Sequence, residues 1–423
     1  MPRLLVISNN ALSNNQSNGR TLMNFLGCFE PSELAQFYIN GVPDANFCGH
    51  TFRVSDKEAL FACVPFIKKR SSIRTEGEKG TLPNNESHSA HMPTRNCKNM
   101  VLRDAIWNSN KWWRKEFTSF LDEFAPEIIL FQAGDCPFMY WIAIKIAKRY
   151  GIPLTMYNSE SYVLKQKIYA GISDTDIWHQ ILKKRLAKAY CAIMKDVRYC
   201  FYITESLEDA FQQRYPHVGK SCALYTSSDL KPISDFSGDT FDVAYAGNLG
   251  VGRIEPLCSF AEVLLTAVPN AMLHIYGRFL SREDEMRMNS YSNVCSHGVV
   301  PYDDIPRIMS RASLIIHCEN SDRLENLRYS FSTKIADNLA SGRPFLVYAD
   351  ARYPFVEYLA KHNAAHIAGT KDELFVILQR CFADKDFLYS HVNNAVQLAN
   401  ENHSKEQNSK KFYSIVSQIV EES

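Results

Sequence analysis

Short apolar runs recur along this chain, and each is followed by a polar loop and then by an amphipathic stretch. Residues 3–9, 127–135 and 153–160 show this order in the first half. The order restarts from Phe241 and continues through the run at 343–349. Parallel strands need long crossover connections, which helices supply, so strands that alternate with helices predict parallel sheets. We therefore predict an α/β fold with two doubly wound, Rossmann-like domains that face each other across a cleft.

The length of the chain also favours two domains, because 423 residues exceed what one hydrophobic core usually holds. A stretch rich in Ser, Asp, Pro and Gly at 226–240 is typical of a linker. We predict an N-terminal domain over residues 1–228, a C-terminal domain over 229–402 and a terminal helix over 403–423. Residues 69–98 lack apolar periodicity and are predicted to form a mobile loop.

Charge and cysteine usage argue against several classes of protein. The formal net charge is +1, which does not favour binding to nucleic acid. The 12 cysteines are scattered singly without CxxC pairs, so neither a zinc site nor a disulfide framework is indicated, and no metal or cofactor is expected. The N-terminal apolar run is too short for a signal peptide, and no later run reaches membrane-spanning length. We therefore expect a cytoplasmic protein.

Three tryptophans, Trp107, Trp112 and Trp113, lie among lysines and arginines in the stretch 106–117. Tryptophan beside basic residues can lie at a lipid interface, which predicts peripheral contact with the inner face of a membrane. The alternative is a single amphipathic helix over this stretch that packs its tryptophans against a sheet.

A glycine-rich loop, "YAGNLGVGR", places Gly247, Asn248, Gly250 and Gly252 directly after a predicted strand and before a predicted helix. Glycine allows a ligand to approach the backbone closely, and the following helix N-terminus favours an anion. Arg253 at the end of the loop could pair with a phosphate. The loop matches neither a Walker motif nor GxGxxG. Because glycine turns after strands are common, an ordinary turn is the alternative.

A second candidate is the predicted helix in "SFSTKIADNLASG". At 3.6 residues per turn, Lys334, Asp337 and Asn338 fall on one face of it. Ser332 or Thr333 is a plausible N-cap, at the positive end of the helix. Phosphate oxygens fit this end and the lysine, and a ribose diol fits the carboxylate. The alternative is an exposed ion pair that contributes only about 0.3 kcal/mol.

These two motifs, together with "HGVVPYDDIPRIMSRASLIIHC" and, near the N-terminus, "SNGRTLMNFL", resemble bacterial family-four-like glycosyltransferases of the GT-B fold. The stretch 102–162 resembles the acceptor-side half of capsule and lipopolysaccharide sugar transferases. The resemblance implies transfer of a hexosyl group from a nucleotide-diphosphate sugar to the hydroxyl of a saccharide or lipid-linked saccharide, in polysaccharide or glycoconjugate assembly. It also implies retention at the anomeric carbon, a metal-independent reaction and a terminal helix that crosses back to the N-terminal domain.

The resemblance implies roles for individual residues. Asp337 stands where the family usually has a glutamate that binds the donor ribose, and Lys334 and Arg253 stand near the diphosphate as catalytic candidates. The other implied donor-binding residues are Gly19, Arg20, Gly247, Asn248, Gly250, Gly252, Ser332 and Thr333. The N-terminal domain would bind the acceptor, and the C-terminal domain would bind the nucleotide sugar.

One departure from the family pattern keeps other functions open. Tyr329 replaces the glutamate that usually contacts the donor sugar, eight residues before Asp337. We find no clear match to the family's acceptor-side histidine. Glu160, in "YNSESY", lies at the end of the equivalent strand and is a catalytic candidate. Its alternative role is to cap the next segment. A non-catalytic partner protein of the same fold, or a sugar-nucleotide epimerase, therefore remains an alternative function.

Overall fold

The structure is a computed structural model, which describes residues 2–13, 17–63, 96–169, 172–173, 175–216, 219–233, 242–250 and 252–423. The chain divides into two compact units, each described separately below. The N-terminal unit is Met1–Leu224 with Ser409–Ser423, and the C-terminal unit is Tyr225–Asn408. Of the predicted mobile loop, residues 69–95 lie outside the described part of the chain.

Among the described residues, each unit contains one β-sheet with helices on its two faces. The strands are β1 (Leu4–Ile7), β2 (Leu34–Tyr38), β3 (His50–Arg53), β4 (Ile128–Gln132), β5 (Leu154–Asn158), β6 (Val197–Tyr202), β7 (Lys220–Ala223), β8 (Asp242–Ala246), β9 (Met272–Tyr276), β10 (Val294–Gly298), β11 (Leu314–Cys318), β12 (Phe345–Tyr348) and β13 (His366–Ala368).

The helices are α1 (Ser17–Leu26), α2 (Asp56–Cys63), α3 (Cys97–Asn108), α4 (Lys115–Phe124), α5 (Pro137–Tyr150), α6 (Ile177–Ile193), α7 (Glu205–Arg214), α8 (Ile254–Ala267), α9 (Arg282–Asn289), α10 (Ile305–Arg311), α11 (Leu324–Leu327), α12 (Thr333–Ala340), α13 (Pro354–Lys361), α14 (Lys371–Ala383), α15 (Lys385–Tyr389), α16 (Val392–Asn402) and α17 (Lys405–Glu421). Short 3-10 segments lie at Pro31–Glu33, Tyr302–Asp304 and Ser321–Arg323.

Both sheets are doubly wound. The strand order is β3-β2-β1-β4-β5-β6-β7 in the N-terminal unit and β10-β9-β8-β11-β12-β13 in the C-terminal unit. The described pairings are parallel; Leu4, for example, lies opposite Leu34 on β2 and opposite Ile128 on β4. The order reverses between β1 and β4 and between β8 and β11, and these reversals are where such sheets bind ligands. The predicted pair of Rossmann-like α/β domains is confirmed.

Strands at the centre of the sheets are covered on both faces, which explains their continuous apolar sequences. On β8, Val243 and Tyr245 belong to the core formed with α8 and α14, whereas Ala244 packs on the opposite face. That opposite face is covered by Ile308 and Met309 of α10. The sheet is therefore fixed from both sides, and its loops at the carboxyl ends of the strands are the part open to a ligand.

The tryptophan-rich stretch of the N-terminal unit does not form the predicted single helix over 106–117. Helix α3 ends at Asn108, Asn110 adopts a left-handed conformation with φ of 58°, and α4 begins only at Lys115. A non-glycine residue in this conformation cannot continue a helix, and asparagine tolerates it better than most. The stretch is therefore a tight connection between two helices.

Most of this tryptophan cluster is part of the core. Trp107 and Trp112 are buried, whereas Trp113 is half-buried. Trp107 stacks on Phe138 with ring centroids 4.8 Å apart, and Trp112 stacks on Phe37 at 5.5 Å. Because protein encloses these two rings, the predicted membrane contact is not available to Trp107 or Trp112, and packing is the correct alternative. In the described part of the chain, we find no helix that combines the length and apolar character needed to cross a bilayer.

The last helix is divided between the two units. Helix α17 starts in the C-terminal unit, and from Ser409 onward its residues belong to the N-terminal unit. There the hydroxyl of Ser409 accepts a hydrogen bond from the backbone N–H of Cys28 at 2.8 Å. The ring of Phe412 packs 5.0 Å from that of Phe25. Burial of Phe412 anchors this end of the chain to the N-terminal core.

Two buried histidines make the stability of the C-terminal unit depend on pH. Burial lowers the pKa of both His366 and His403 from the ordinary 6.5 to about 4. Between these values the unfolded state binds more protons than the folded state, so the free energy of unfolding falls as the pH falls. We expect a loss of about 2 kcal/mol per histidine between about pH 7 and about pH 5, measurable by urea unfolding.

His403→Asn provides the control for this pH dependence. Nδ1 of His403 donates a hydrogen bond to the Thr226 carbonyl at 2.7 Å, and Nε2 accepts one from the Tyr358 hydroxyl at 3.0 Å. The variant is expected to be less stable than the wild type at neutral pH but to lose less stability on acidification. An unchanged slope in the variant would show that His403 is not responsible.

Candidate functional site

The candidate site lies where the strand order of the C-terminal sheet reverses, between β8 and β11. Three segments meet there: the β8 loop (residues 247–250 and 252–253), the β11 loop (residues 319–323) and the N-terminal turn of α12. They are far apart in sequence, and the sheet brings them together at the carboxyl ends of its strands. This is the edge at which parallel α/β sheets bind ligands.

The side chain of Lys334 lies directly over Gly247. A Cβ atom added at Gly247 would lie 2.0 Å from Lys334 Cε and 3.0 Å from Lys334 Nζ. Any larger residue at position 247 would therefore have to displace the lysine. The loop after β9 also approaches the β8 loop closely. A Cβ atom added at Gly277 would lie 2.0 Å from the backbone oxygen of Gly247. The absence of a side chain at Gly247 lets the lysine lie against the β8 loop, and its absence at Gly277 lets the loop after β9 pack on the β8 loop.

The rest of the β8 loop is held by its own hydrogen bonds and by the β11 loop. The N–H of Gly250 donates to Asn248 Oδ1 at 2.8 Å. Gly252 has φ of +84°, a conformation that favours glycine, and its carbonyl accepts a hydrogen bond from Asn320 Nδ2 at 3.1 Å. The loop therefore has a defined shape, and glycine at position 252 is required by the backbone conformation.

Arg253 is engaged in a buried ion pair. Its side chain is about nine-tenths buried, and its Nε donates to Glu319 Oε1 at 3.0 Å while Nη2 donates to the same oxygen. His317 Nε2 lies 3.3 Å from that oxygen. Burial opposes ionisation of Glu319, but His317 and the guanidinium of Arg253 outweigh it and lower the pKa of the carboxyl to about 2. The positive charge of Arg253 is therefore balanced within the protein.

Asp337 is buried, with an exposed fraction of 8%. Its Oδ1 accepts hydrogen bonds from the Ser228 hydroxyl at 2.6 Å and the Tyr302 hydroxyl at 2.9 Å. This excludes the alternative that Lys334 and Asp337 are simply an exposed ion pair. A buried carboxylate held by two hydroxyl donors is fixed in position.

The N-terminus of α12 begins beside these groups. Ser332 occupies the N-cap position with extended backbone, and Thr333 is the first helical residue. The helix is buried from Ile335 through Ala340, which orients its positive end. Backbone N–H groups at a helix N-terminus favour an anion, and Lys334 adds a full positive charge at the same place.

Comparisons with known proteins agree with this architecture. No protein-family model and no curated protein sequence matches the chain. Among solved structures, HepE from Anabaena in complex with UDP superposes with a TM-score of 0.65 at 11% identity, covering 98% of this chain and 100% of that one. Sucrose-phosphate synthase from Thermosynechococcus elongatus superposes with a TM-score of 0.64 at 12% identity, covering 100% of both chains. The chain has the GT-B fold.

A third structure of the same fold is WaaG, a glycosyltransferase involved in lipopolysaccharide biosynthesis. It superposes with a TM-score of 0.55 at 11% identity, covering 96% of this chain and 98% of that one. At such identities the likeness establishes the GT-B fold, and the function has to be argued from the residues of this chain.

Not every predicted site residue of this GT-B chain lies in the C-terminal unit. Gly19, Arg20 and Glu160 belong to the N-terminal unit. Gly19 lies in the first turn of α1, where a Cβ atom would be 2.1 Å from the Ala11 carbonyl oxygen, so packing alone requires glycine there. Glu160 follows β5 and accepts a hydrogen bond from Lys165 Nζ at 3.4 Å. The roles predicted for these three residues remain predictions.

Sequence reasoning missed four residues of the site: His317, Glu319, Ser228 and Tyr302. A signal for Glu319 was present, since a carboxylate directly follows the apolar run of β11. The sequence contains no such signal for Ser228 or Tyr302, because both residues contact Asp337 from distant parts of the chain. Tyr329, the departure from the family pattern, is half-buried next to Arg328, whose guanidinium lies 5.6 Å from the centre of its ring.

Proposed function

We propose that this protein is a glycosyltransferase that moves a sugar from a nucleotide-diphosphate sugar to an acceptor hydroxyl. The observation that supports this most directly is the placement of Lys334 over Gly247, at the N-terminus of α12 and on the same helix as buried Asp337. These groups lie where a doubly wound sheet binds its ligand. Structures of HepE, which has the same fold, contain UDP and UDP-glucose.

In this proposal the donor diphosphate binds at the N-terminus of α12 and against the glycine-rich β8 loop. Lys334 supplies a positive charge beside that loop, and Arg253, which pairs with Glu319, lies at the end of the same loop. Asp337 accepts hydrogen bonds from the ribose hydroxyls. As the bond to the sugar breaks, negative charge accumulates on the leaving diphosphate, and donors fixed in advance stabilise it. The protein thus provides the charge stabilisation itself, which is why we propose a metal-independent reaction.

The finer assignment follows the sequence motifs. We propose a family-four-like enzyme of the capsule or lipopolysaccharide type, which transfers a hexosyl group with retention of anomeric configuration in polysaccharide or glycoconjugate assembly. Gly19 and Arg20 would contact the donor or acceptor, and Glu160 would act on the acceptor side. The acceptor would be a saccharide or a lipid-linked saccharide.

A panel of nucleotides and nucleotide sugars tests the donor site by thermal shift. At about a hundred times the dissociation constant, a ligand should stabilise the folded state by about 2.7 kcal/mol. We expect one nucleotide series to raise the melting temperature of the wild type, and Lys334→Ala and Asp337→Ala to abolish that rise.

Lys148→Ala is the matched control for the binding test, because Lys148 is an exposed lysine of the N-terminal unit that pairs with Asp196. It should keep the full nucleotide response. If no nucleotide in the panel shifts the wild type, the donor-site proposal fails.

Tyr329 supports a second candidate, a non-catalytic partner protein of the same fold. The residue stands where the resemblance expects a glutamate that contacts the donor sugar. Such a protein would bind nucleotide without transferring sugar. A radiolabelled donor sugar incubated with the acceptor distinguishes the two, because only the transferase moves label from donor to acceptor.

A further inference from the structure

A cluster of metal-binding side chains lies on the β9–β10 edge of the C-terminal sheet, apart from the residues of the donor site. His274 is on β9, and Cys295 and His297 are on β10, the edge strand of that sheet. Cys295 is the register partner of His274, and the pairing of β10 with β9 becomes irregular between Ser296 and Gly298, around His297. The potential ligand atoms of the three side chains all lie within 4.8 Å of one another.

The rings are already oriented towards each other. Nδ1 of His274 lies 2.8 Å from Nε2 of His297. The ring of His297 stacks on that of Tyr276 with centroids 4.4 Å apart, which holds it in place. The opposite nitrogen of His274, Nε2, lies 3.4 Å from Asp242 Oδ1 on β8. A histidine that directs one nitrogen towards a metal commonly donates its other N–H to a carboxylate, which fixes the ring and its tautomer.

We propose that His274, Cys295 and His297 bind a divalent transition-metal ion of the zinc type, with Asp242 positioning His274. Two imidazoles and one thiolate form a borderline-soft ligand set, which suits zinc better than magnesium or calcium. In a tetrahedral zinc site with ordinary bond lengths, ligand atoms are separated by roughly 3.3–3.6 Å. The cluster reaches this spacing by small side-chain rotations that replace the hydrogen bond between the histidines with two metal bonds.

The electrostatic setting fits a cation. The carboxylate of Asp242 places a negative charge 3.4 Å from His274 Nε2, on the other side of the ring from the proposed ligand nitrogen. Bound metal would join the edge strand β10 to β9 and leave a fourth coordination position for water or another ligand. Sequence spacing gave no signal for this site, because its ligands come from two strands rather than from a CxxC pair.

Titration of the chelator-treated full-length chain with Co²⁺ tests this site directly. Cobalt replaces zinc in such sites and gives a thiolate-to-metal charge-transfer absorption that reports a bound cysteine. We expect one equivalent of Co²⁺ to bind, with displacement by Zn²⁺. Cys295→Ser should abolish the charge-transfer band, His297→Ala should weaken binding by at least about tenfold, and Asp242→Asn by about 10- to 100-fold.

Cys191→Ser is the matched cysteine control, because Cys191 is exposed and lies in the other unit. It should titrate like the wild type, and circular dichroism should show that every variant is folded. The proposal is overturned if the wild type gives no charge-transfer band, or if Cys295→Ser retains it. Since the readout is metal binding and not sugar transfer, the result is independent of whether the proposed glycosyltransferase activity is correct.

Discussion

Replacement of Lys334 by alanine is expected to lower the rate of sugar transfer by about 10²- to 10³-fold, the usual effect of removing one fixed donor from a charge-stabilising site. Lys334 carries its positive charge against the β8 loop, where the donor diphosphate is proposed to bind. The lysine contributes more as the leaving group gains charge, so the effect should be largest on kcat. Steady-state kinetics with the donor identified by thermal shift provide the measurement.

Gly247→Ala tests the same contact without removing the charge. The new methyl group would meet the flexible end of the Lys334 side chain, with Cε only 2.0 Å away, and so would push the ammonium off the β8 loop. We expect a loss of transfer close to that of Lys334→Ala, with little change in the free energy of unfolding.

Gly27→Ala is the matched control for Gly247→Ala, because Gly27 follows α1 outside the proposed donor site and the Cβ that it would add lies at an ordinary contact distance, 3.7 Å, from Ser409 Oγ. It should leave transfer unchanged. Full activity in Gly247→Ala would contradict the assignment of Lys334 to the diphosphate, since the lysine would then function from another position.

The sequence was sufficient to predict the fold because its strands and helices alternate and the central strands are apolar throughout. It also predicted that Lys334 and Asp337 share a helix, since that depends only on local spacing. The Trp107 to Trp113 stretch was misread as a single helix because one left-handed residue, Asn110, ends α3, and apolar periodicity does not detect such a residue.

The missing parts of the candidate site are contacts over long sequence distances. Glu319 is 66 residues from Arg253, and Ser228 is 109 residues from Asp337. Such pairs depend on strand order and loop shape, which a single sequence does not specify. The glycine at 247 was identified as a point of close approach, but the group that approaches it, the side chain of Lys334, became evident only from the structure.

The buried pair of Arg253 and Glu319 should be among the most important polar contacts for stability in the C-terminal unit. Removing one partner leaves the other charge buried without compensation, which typically costs about 3–5 kcal/mol. We expect Glu319→Ala to lower the free energy of unfolding of this unit by that amount. Urea unfolding of the full chain, followed by a probe in the C-terminal unit, measures the effect.

The chain offers a matched surface pair for comparison. Arg287 and Glu255 are also within hydrogen-bonding distance, at 2.7 Å, but both side chains are exposed. Glu255→Ala should therefore lower the free energy of unfolding by less than about 1 kcal/mol. Since the pKa of Glu319 is lowered to about 2 from an ordinary 4.5, its contribution should also decline as the pH falls through this range. Equal losses in Glu319→Ala and Glu255→Ala would mean that Arg253 reaches solvent once it is released, and its charge would then be available to the donor phosphate.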